Sequence, residues 1–125
     1  MIILGLGGRN FSQQHVAGTA RILSEIAPDY VGALTLCLED GVYDEFIAKF
    51  ADPFVPLDDI HVLDELERLV SGFNPKTPVV FRANHPSNVY SLGGTIPADK
   101  AKLLSTISGL KSHPELLTPK FMRRF

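Results

Sequence analysis

The side chains best suited to chemistry are clustered directly after one short apolar run, residues 78–81. The cluster supplies a guanidinium, an imidazole, two amides and a hydroxyl, from Arg82, Asn84, His85, Ser87 and Asn88. Such groups can bind and orient a polar substrate through directed hydrogen bonds. Ligands of α/β proteins usually bind at the carboxyl ends of strands, and the cluster is predicted to lie at such an end. The competing interpretation is a polar loop whose Asn and Ser side chains stabilise its own turns.

A glycine-rich turn, Gly5-Leu6-Gly7-Gly8, is a second candidate site. Because a helix is predicted to follow it, its backbone N–H groups could bind an anion. It is not a Walker motif, since no Gly-Lys-Ser/Thr follows, and it does not match Gly-x-Gly-x-x-Gly. The alternative is a tight turn that needs no ligand.

Metal ligands and nucleophiles are sparse. The four histidines, at 15, 61, 85 and 113, include no pair with the i, i+4 spacing of helical zinc ligands. We therefore expect no metal site built from this chain alone. No Gly-x-Ser-x-Gly elbow surrounds Ser87, so a hydrolase triad is not predicted. Cys37 lies in an apolar run and is expected to be a buried, unreactive thiol.

The composition excludes several classes of protein for this chain. The 125 residues suffice for one small domain, and a net charge of −2 lacks the basic footprint of a nucleic-acid-binding protein. The apolar runs are far shorter than the roughly 20 residues of a membrane span. A single cysteine excludes an internal disulfide, is typical of a reducing cytoplasm, and excludes a cluster held by three or four thiolates of this chain.

The periodicity predicts one α/β domain over residues 1–125, with about three mostly parallel strands and four to five helices. Apolar runs at 1–6, 30–38 and 78–82 predict strands of a sheet covered on both faces. Three longer helices are predicted, from the N-cap Ser12 to Ala27, from Asp58 or Asp59 to about Ser71, and onward from Pro97. Their buried stripes include Ile22, Ile26 and Ile60 among other apolar residues. A short helix is expected over residues 42–50.

Three strands leave a sheet with two apolar edges, and such edges invite pairing with another chain. We therefore expect the rest of the sheet to come from a partner or a second copy, or the chain to be a fragment of a larger barrel. A domain that begins on a core strand also suggests that earlier elements are missing.

Several separated blocks resemble the C-terminal part of radical S-adenosylmethionine (radical SAM) proteins. They are Thr-Ala-Arg-Ile-Leu-x-Glu-Ile-x-Pro-Asp-Tyr-Val over 19–31, Ala-Leu-Thr-Leu over 33–36, Phe-Arg-x-Asn-His-x-Ser-Asn over 81–88 and Gly-Thr-Ile-Pro-x-Asp-Lys over 94–100. The blocks occur in the same order as in the family, and the resemblance extends over nearly the whole chain.

The resemblance implies a partial (β/α) barrel. In the family, an N-terminal half with a Cys-x3-Cys-x2-Cys loop holds a four-iron, four-sulfur (4Fe-4S) cluster, and the cluster converts SAM into a 5′-deoxyadenosyl radical. This chain lacks that loop, and Cys37 alone cannot replace it. The resemblance therefore implies a partner or missing half that carries the cluster, and no radical chemistry by this chain alone.

Site residues are implied position by position. The family's fifth strand commonly reads Gly-x-Ile-x-Gly-x-x-Glu and packs near the SAM adenine; Ile3 and Gly5 match it, whereas Met1 and Gly8 do not. Ile3, Gly5 and Gly7 are therefore the expected cofactor-side residues. Residues 31–36 would form the sixth strand, also near the adenine. Arg82, Asn84, His85, Ser87 and Asn88 are the expected substrate-side residues at the barrel mouth.

Three functional hypotheses follow. The first is a C-terminal fragment or subunit of a radical SAM enzyme that contributes SAM-pocket and substrate contacts. The second is a non-catalytic small-molecule or anion-binding module, with Arg82 and the glycine turn as anion contacts. The third is a decayed gene product that folds poorly.

Overall fold

The structure, a computed structural model, describes residues 1–124. The strands and α-helices, in chain order, are Ile2–Leu4 (β1), Gly8–Ile26 (α1), Tyr30–Thr35 (β2), Asp40–Ile47 (α2), Asp59–Gly72 (α3), Val79–Ala83 (β3), Leu92–Ile96 (β4) and Lys100–Ser112 (α4). Two short 3-10 turns, Pro114–Leu116 and Lys120–Met122, follow α4. None of the described helices is long and apolar enough to cross a bilayer.

The four strands form one open, mixed sheet in the order β1-β2-β3-β4. β1 and β3 both pair parallel to β2, with Ile3 opposite Leu34 and Val31 opposite Phe81. β4 pairs antiparallel to β3, with Gly93 opposite Arg82. The expected α/β class is confirmed, while the count of about three strands missed β4.

β4 was missed because its sequence is typical of a turn. Gly93 and Gly94 disfavour a strand by propensity, but a side chain at either position would press on a neighbouring residue. A Cβ at Gly93 would lie 2.8 Å from Arg82 Cδ, and one at Gly94 would lie 2.8 Å from Asp99 Cβ. The chain continues as a strand through both glycines, because it pairs there with β3. Helix α4 consequently begins at Lys100, three residues later than the predicted start at Pro97.

The helices α1, α3 and α4 form one layer, with α3 between the other two. Alternate residues of the central strands are buried against this layer, for example Val31, Ala33, Val79 and Phe81. The opposite side of the sheet is only half-buried. We call it the open face. By register and burial it consists of Ile3, Tyr30, Gly32, Leu34, Val80, Arg82, Gly93 and Thr95. The expectation of a sheet covered on both faces is therefore wrong for the described residues.

The core lies between the sheet and α3. Leu63, Leu69, Val70, Phe73 and Phe81 are all at most 1% exposed. Their burial is the main favourable contribution to folding, because apolar area removed from water stabilises by about 25 cal/mol per Å².

Three residues of the predicted buried stripes are exposed instead: Ile22 by 48%, Ile26 by 67% and Ile60 by 37%. Ile22 and Ile26 lie on a different side of α1 from Ala20, the residue that meets Gly72 of α3. The side that carries them has no described helix packed on it.

Candidate functional site

Arg82 lies in the middle of the open face. It pairs with Gly32 on β2 and Gly93 on β4, so both neighbouring positions lack a side chain. A cavity of about 440 Å³ lies on the β2 side of the guanidinium and one of about 380 Å³ on the β4 side. The first is lined by Met1, Tyr30, Gly32, Ala33, Leu34, Arg82, Asn84, His85 and Pro86. Arg82 is the one charged side chain among the eight residues of the open face.

The guanidinium of Arg82 keeps most of its donors available. Nη1 donates to the carbonyl of Phe81 at 2.9 Å and, more weakly, to that of Gly94 at 3.4 Å. These two carbonyls are its acceptors among the described residues. Because an arginine offers five N–H donors in a planar fork, the remaining ones can bind a carboxylate or phosphate.

Asn84 and His85 lie on the rim of the larger cavity. Asn84 is exposed, whereas His85 is half-buried. The His85 Nδ1 atom accepts from the Ser87 backbone N–H at 3.2 Å and lies 2.9 Å from Ser87 Oγ.

Ser87 and Asn88 are not on the cavity surface, since they are 2% and 5% exposed. Ser87 Oγ accepts from the Thr35 N–H at 3.2 Å. The Asn88 amide accepts from Thr35 Oγ1 and donates to the Ala33 carbonyl, both at 2.9 Å. Both side chains therefore fasten the loop after β3 to the end of β2. Their acceptors and donors on β2 are more than 50 residues away, so these side chains bond another element as well as their own loop. Arg82, Asn84 and His85 line the cavity.

Two N–H groups of the glycine turn, and the one that follows the turn, have acceptors within the protein. The Gly5 N–H donates to Glu65 Oε1 at 2.8 Å, the Gly8 N–H to the Gly5 carbonyl at 3.0 Å, and the Arg9 N–H to the Val55 carbonyl at 2.9 Å. A Cβ at Gly8 would lie 2.9 Å from that Val55 oxygen. The N–H groups of Gly5, Gly8 and Arg9 therefore already have acceptors in the protein and do not favour an anion site. Of the three cofactor-side residues, Ile3 is the one whose side chain belongs to the open face.

Sequence reasoning missed Glu65, a fully buried carboxylate on α3. Its Oε1 accepts from Gly5 and its Oε2 accepts from Ser12 Oγ at 2.6 Å. Helix α1 begins at Gly8, so the prediction of Ser12 as its N-cap is wrong and Ser12 lies inside the helix. His15 Nε2 lies 3.7 Å from Oε1 and 2.9 Å from the Ile3 carbonyl. The available signal was an acid three residues after Val62 and four before Leu69, on the apolar side of the helix.

Both edge strands have a backbone group bonded by a side chain. Leu4 O accepts from Leu36, so the neighbouring Ile3 carbonyl is directed away from β2, where His15 bonds it. On β4, the Thr95 N–H donates to Asp99 Oδ2 at 2.7 Å. Side chains that occupy edge groups hinder pairing with another strand.

The residues present do not fit a four-iron cluster. Cys37 is a half-buried free thiol. Over residues 1–124, no group of three or more His, Cys, Asp or Glu side chains could hold a metal ion. Comparison of this chain with protein-family models, with curated proteins and with solved structures gave no match.

Proposed function

We propose that this chain is the C-terminal part of a radical SAM-like partial barrel and that its open face forms one wall of the substrate and SAM pocket. The cluster would be held by a cysteine-bearing partner. The observation that supports this most is the position of α1 and α3, the helices of both parallel crossovers, on the same side of the sheet. Barrels have this arrangement, in which helices form the outer layer and the bare face lines the interior.

The surface chemistry of the open face suits such a wall. Ile3, Gly32 and Leu34 form a flat, apolar area beside Met1 and Tyr30. A flat adenine ring would pack there, while Arg82 would bind a carboxylate of SAM or of substrate through its free donors. Asn84 and His85 would contact the substrate from the rim. Bound SAM would supply the hydrogen-abstracting group, and the wall would orient it and exclude water.

The partner would also cover exposed apolar side chains. Tyr30 is 57% exposed on the open face, and Ile22 and Ile26 are exposed on α1. We expect the next strand and helix of the barrel to cover these residues. The bonds from His15 and Asp99 to the two edge strands would have to open or be bridged when a strand is added.

The test is SAM binding with and without the partner. Candidates are found by reading DNA around the coding sequence, in all frames, for Cys-x3-Cys-x2-Cys. Equilibrium dialysis should show SAM binding to the co-expressed complex and none to this chain alone. Leu34→Glu on the open face should abolish binding by the complex, whereas Lys102→Glu on α4 should leave it unchanged. SAM binding that is equal in both variants would contradict the proposal.

A second candidate is an anion-binding module, favoured by the isolated guanidinium of Arg82 between two glycines. It differs in predicting ligand binding by this chain alone. Thermal unfolding with a panel of carboxylates and phosphates should then show stabilisation that is lost in Arg82→Ala and kept in Lys102→Ala.

A further inference from the structure

A groove runs between α1 and α3 on the helix side of the sheet, away from the open face. The two helices approach closely where Gly72 meets Ala20, since a Cβ at Gly72 would lie 3.2 Å from Ala20 Cβ. The groove has a volume of about 610 Å³. Its lining includes Val16, Ala17, Ala20 and Arg21 from α1 and Arg68 and Gly72 from α3.

The floor of the groove is apolar and shallow. Val16 and Ala20 are 4% exposed, and Ala17 and Gly72 add small, exposed positions beside them. The stretch of α1 from Gln13 to Glu25 measures about 18 Å at 1.5 Å per residue. A floor of small residues with this length accommodates about three turns of another helix.

The rims carry unpaired guanidiniums on opposite sides, Arg21 from α1 and Arg68 from α3. Three cations of this helix layer have acceptors: Arg9 bonds Asp58, Lys100 bonds Asn74, and Lys111 bonds Asp64 and Glu67. Arg21 and Arg68, both exposed, have no ion pair or hydrogen-bond acceptor for their side chains over residues 1–124. Glu25 is the acid of the groove and lies in the last turn of α1.

We propose that this groove binds an acidic amphipathic helix of a partner protein. Leucine and alanine side chains of that helix would pack on Val16, Ala17 and Ala20, as in other helix-in-groove complexes. Carboxylates on both flanks would pair with Arg21 and Arg68, where bidentate guanidinium bonds give orientation as well as affinity. Nucleic acid is disfavoured by the net charge of −2 and by Glu25 within the groove.

The test uses a fluorescein-labelled 14-residue helical peptide with leucine and alanine along one stripe and glutamate on both flanks. Its matched control has lysine at every glutamate position. Fluorescence anisotropy with the full chain should show saturable binding of the acidic peptide and at least tenfold weaker binding of the lysine peptide. Raising the salt concentration should weaken binding, because exposed charges are screened.

Two sets of variants test separately how the charges and the apolar floor contribute to binding. Arg21→Glu with Arg68→Glu should weaken binding at least tenfold, and Ala17→Trp, which fills the floor with both arginines intact, should do the same. Lys102→Glu, an equal charge reversal per site on α4, should stay within twofold of the unmodified chain. Equal binding of both peptides, binding unchanged in the double variant, or no saturable binding up to 1 mM peptide would each overturn the proposal.

Discussion

At the scale of single residues, Glu65 shows what joins β1 to the helix layer. A buried carboxylate costs free energy unless it is fully hydrogen-bonded. Here both oxygens accept bonds, from the Gly5 N–H and from Ser12 Oγ, so one side chain of α3 fixes the turn after β1 and the first turns of α1. Loss of this carboxylate would leave the Gly5 N–H and the Ser12 hydroxyl without their acceptors.

Glu65→Ala should lower the free energy of unfolding by roughly 2–4 kcal/mol, because a buried amide and a buried hydroxyl would lose their acceptor. Urea denaturation followed by circular dichroism measures this. Glu25→Ala, an exposed acid on the neighbouring helix, serves as the control and should stay within about 0.5 kcal/mol. Similar losses in both variants would contradict a structural role for the Glu65 carboxylate.

Two asparagines four residues apart, Asn84 and Asn88, are expected to have different roles, Asn84 in binding and Asn88 in stability. Asn88→Ala should cost roughly 1–3 kcal/mol of stability, since the Ala33 carbonyl and Thr35 hydroxyl would lose a buried partner. Asn84→Ala should stay within about 0.5 kcal/mol, because the Asn84 side chain is exposed. Chemical denaturation of both variants checks this. The reverse order of effects would show that the loop after β3 is held in another way.

At the scale of elements, helix α3 was predictable and strand β4 was not. The apolar stripe of Leu63, Leu66, Leu69 and Val70 predicts α3. The predicted start at Asp58 or Asp59 is confirmed, since α3 begins at Asp59 and the Asp58 side chain caps it by accepting from the His61 N–H at 2.9 Å. β4 is a strand because it pairs with β3, where Gly93 lies opposite Arg82 and Gly94 opposite Phe81. The strand propensities of the residues themselves contain no information about pairing with another strand.

The cap of α3 should make stability depend on pH. The backbone N–H of His61, followed by its ring, holds the pKa of Asp58 below its ordinary value of 3.8. A carboxyl with a lowered pKa stabilises the fold fully above that ordinary value, and the contribution is lost as the pH falls through the lowered pKa.

Asp58→Ala should therefore destabilise by about 1 kcal/mol at pH 7, the usual cost of losing an N-cap. The difference from the unmodified chain should shrink below about pH 3.8. Thermal unfolding between pH 7 and pH 2.5 measures it. Asp58→Asn, which can still cap the helix, should retain most of the stability at pH 7 while losing the pH dependence. A difference that is constant with pH would contradict this account.

At the scale of the whole molecule, the site was half predictable. The cluster from Arg82 to His85 could be found because polar residues after an apolar strand are conspicuous, and the structure brings Arg82, Asn84 and His85 to one cavity. The inward roles of Ser87, Asn88 and Gly5 could not be found, since each is decided by partners more than 50 residues away in sequence.

We propose that the open face completes a SAM pocket with a cysteine-bearing partner. The most direct measurement is 5′-deoxyadenosine formation from SAM under anaerobic, reducing conditions, comparing the complex, each component alone and the complex with Arg82→Ala. We expect product from the complex, none from this chain alone, and at least tenfold less from the Arg82→Ala complex. Equal product from the partner with and without this chain would contradict it.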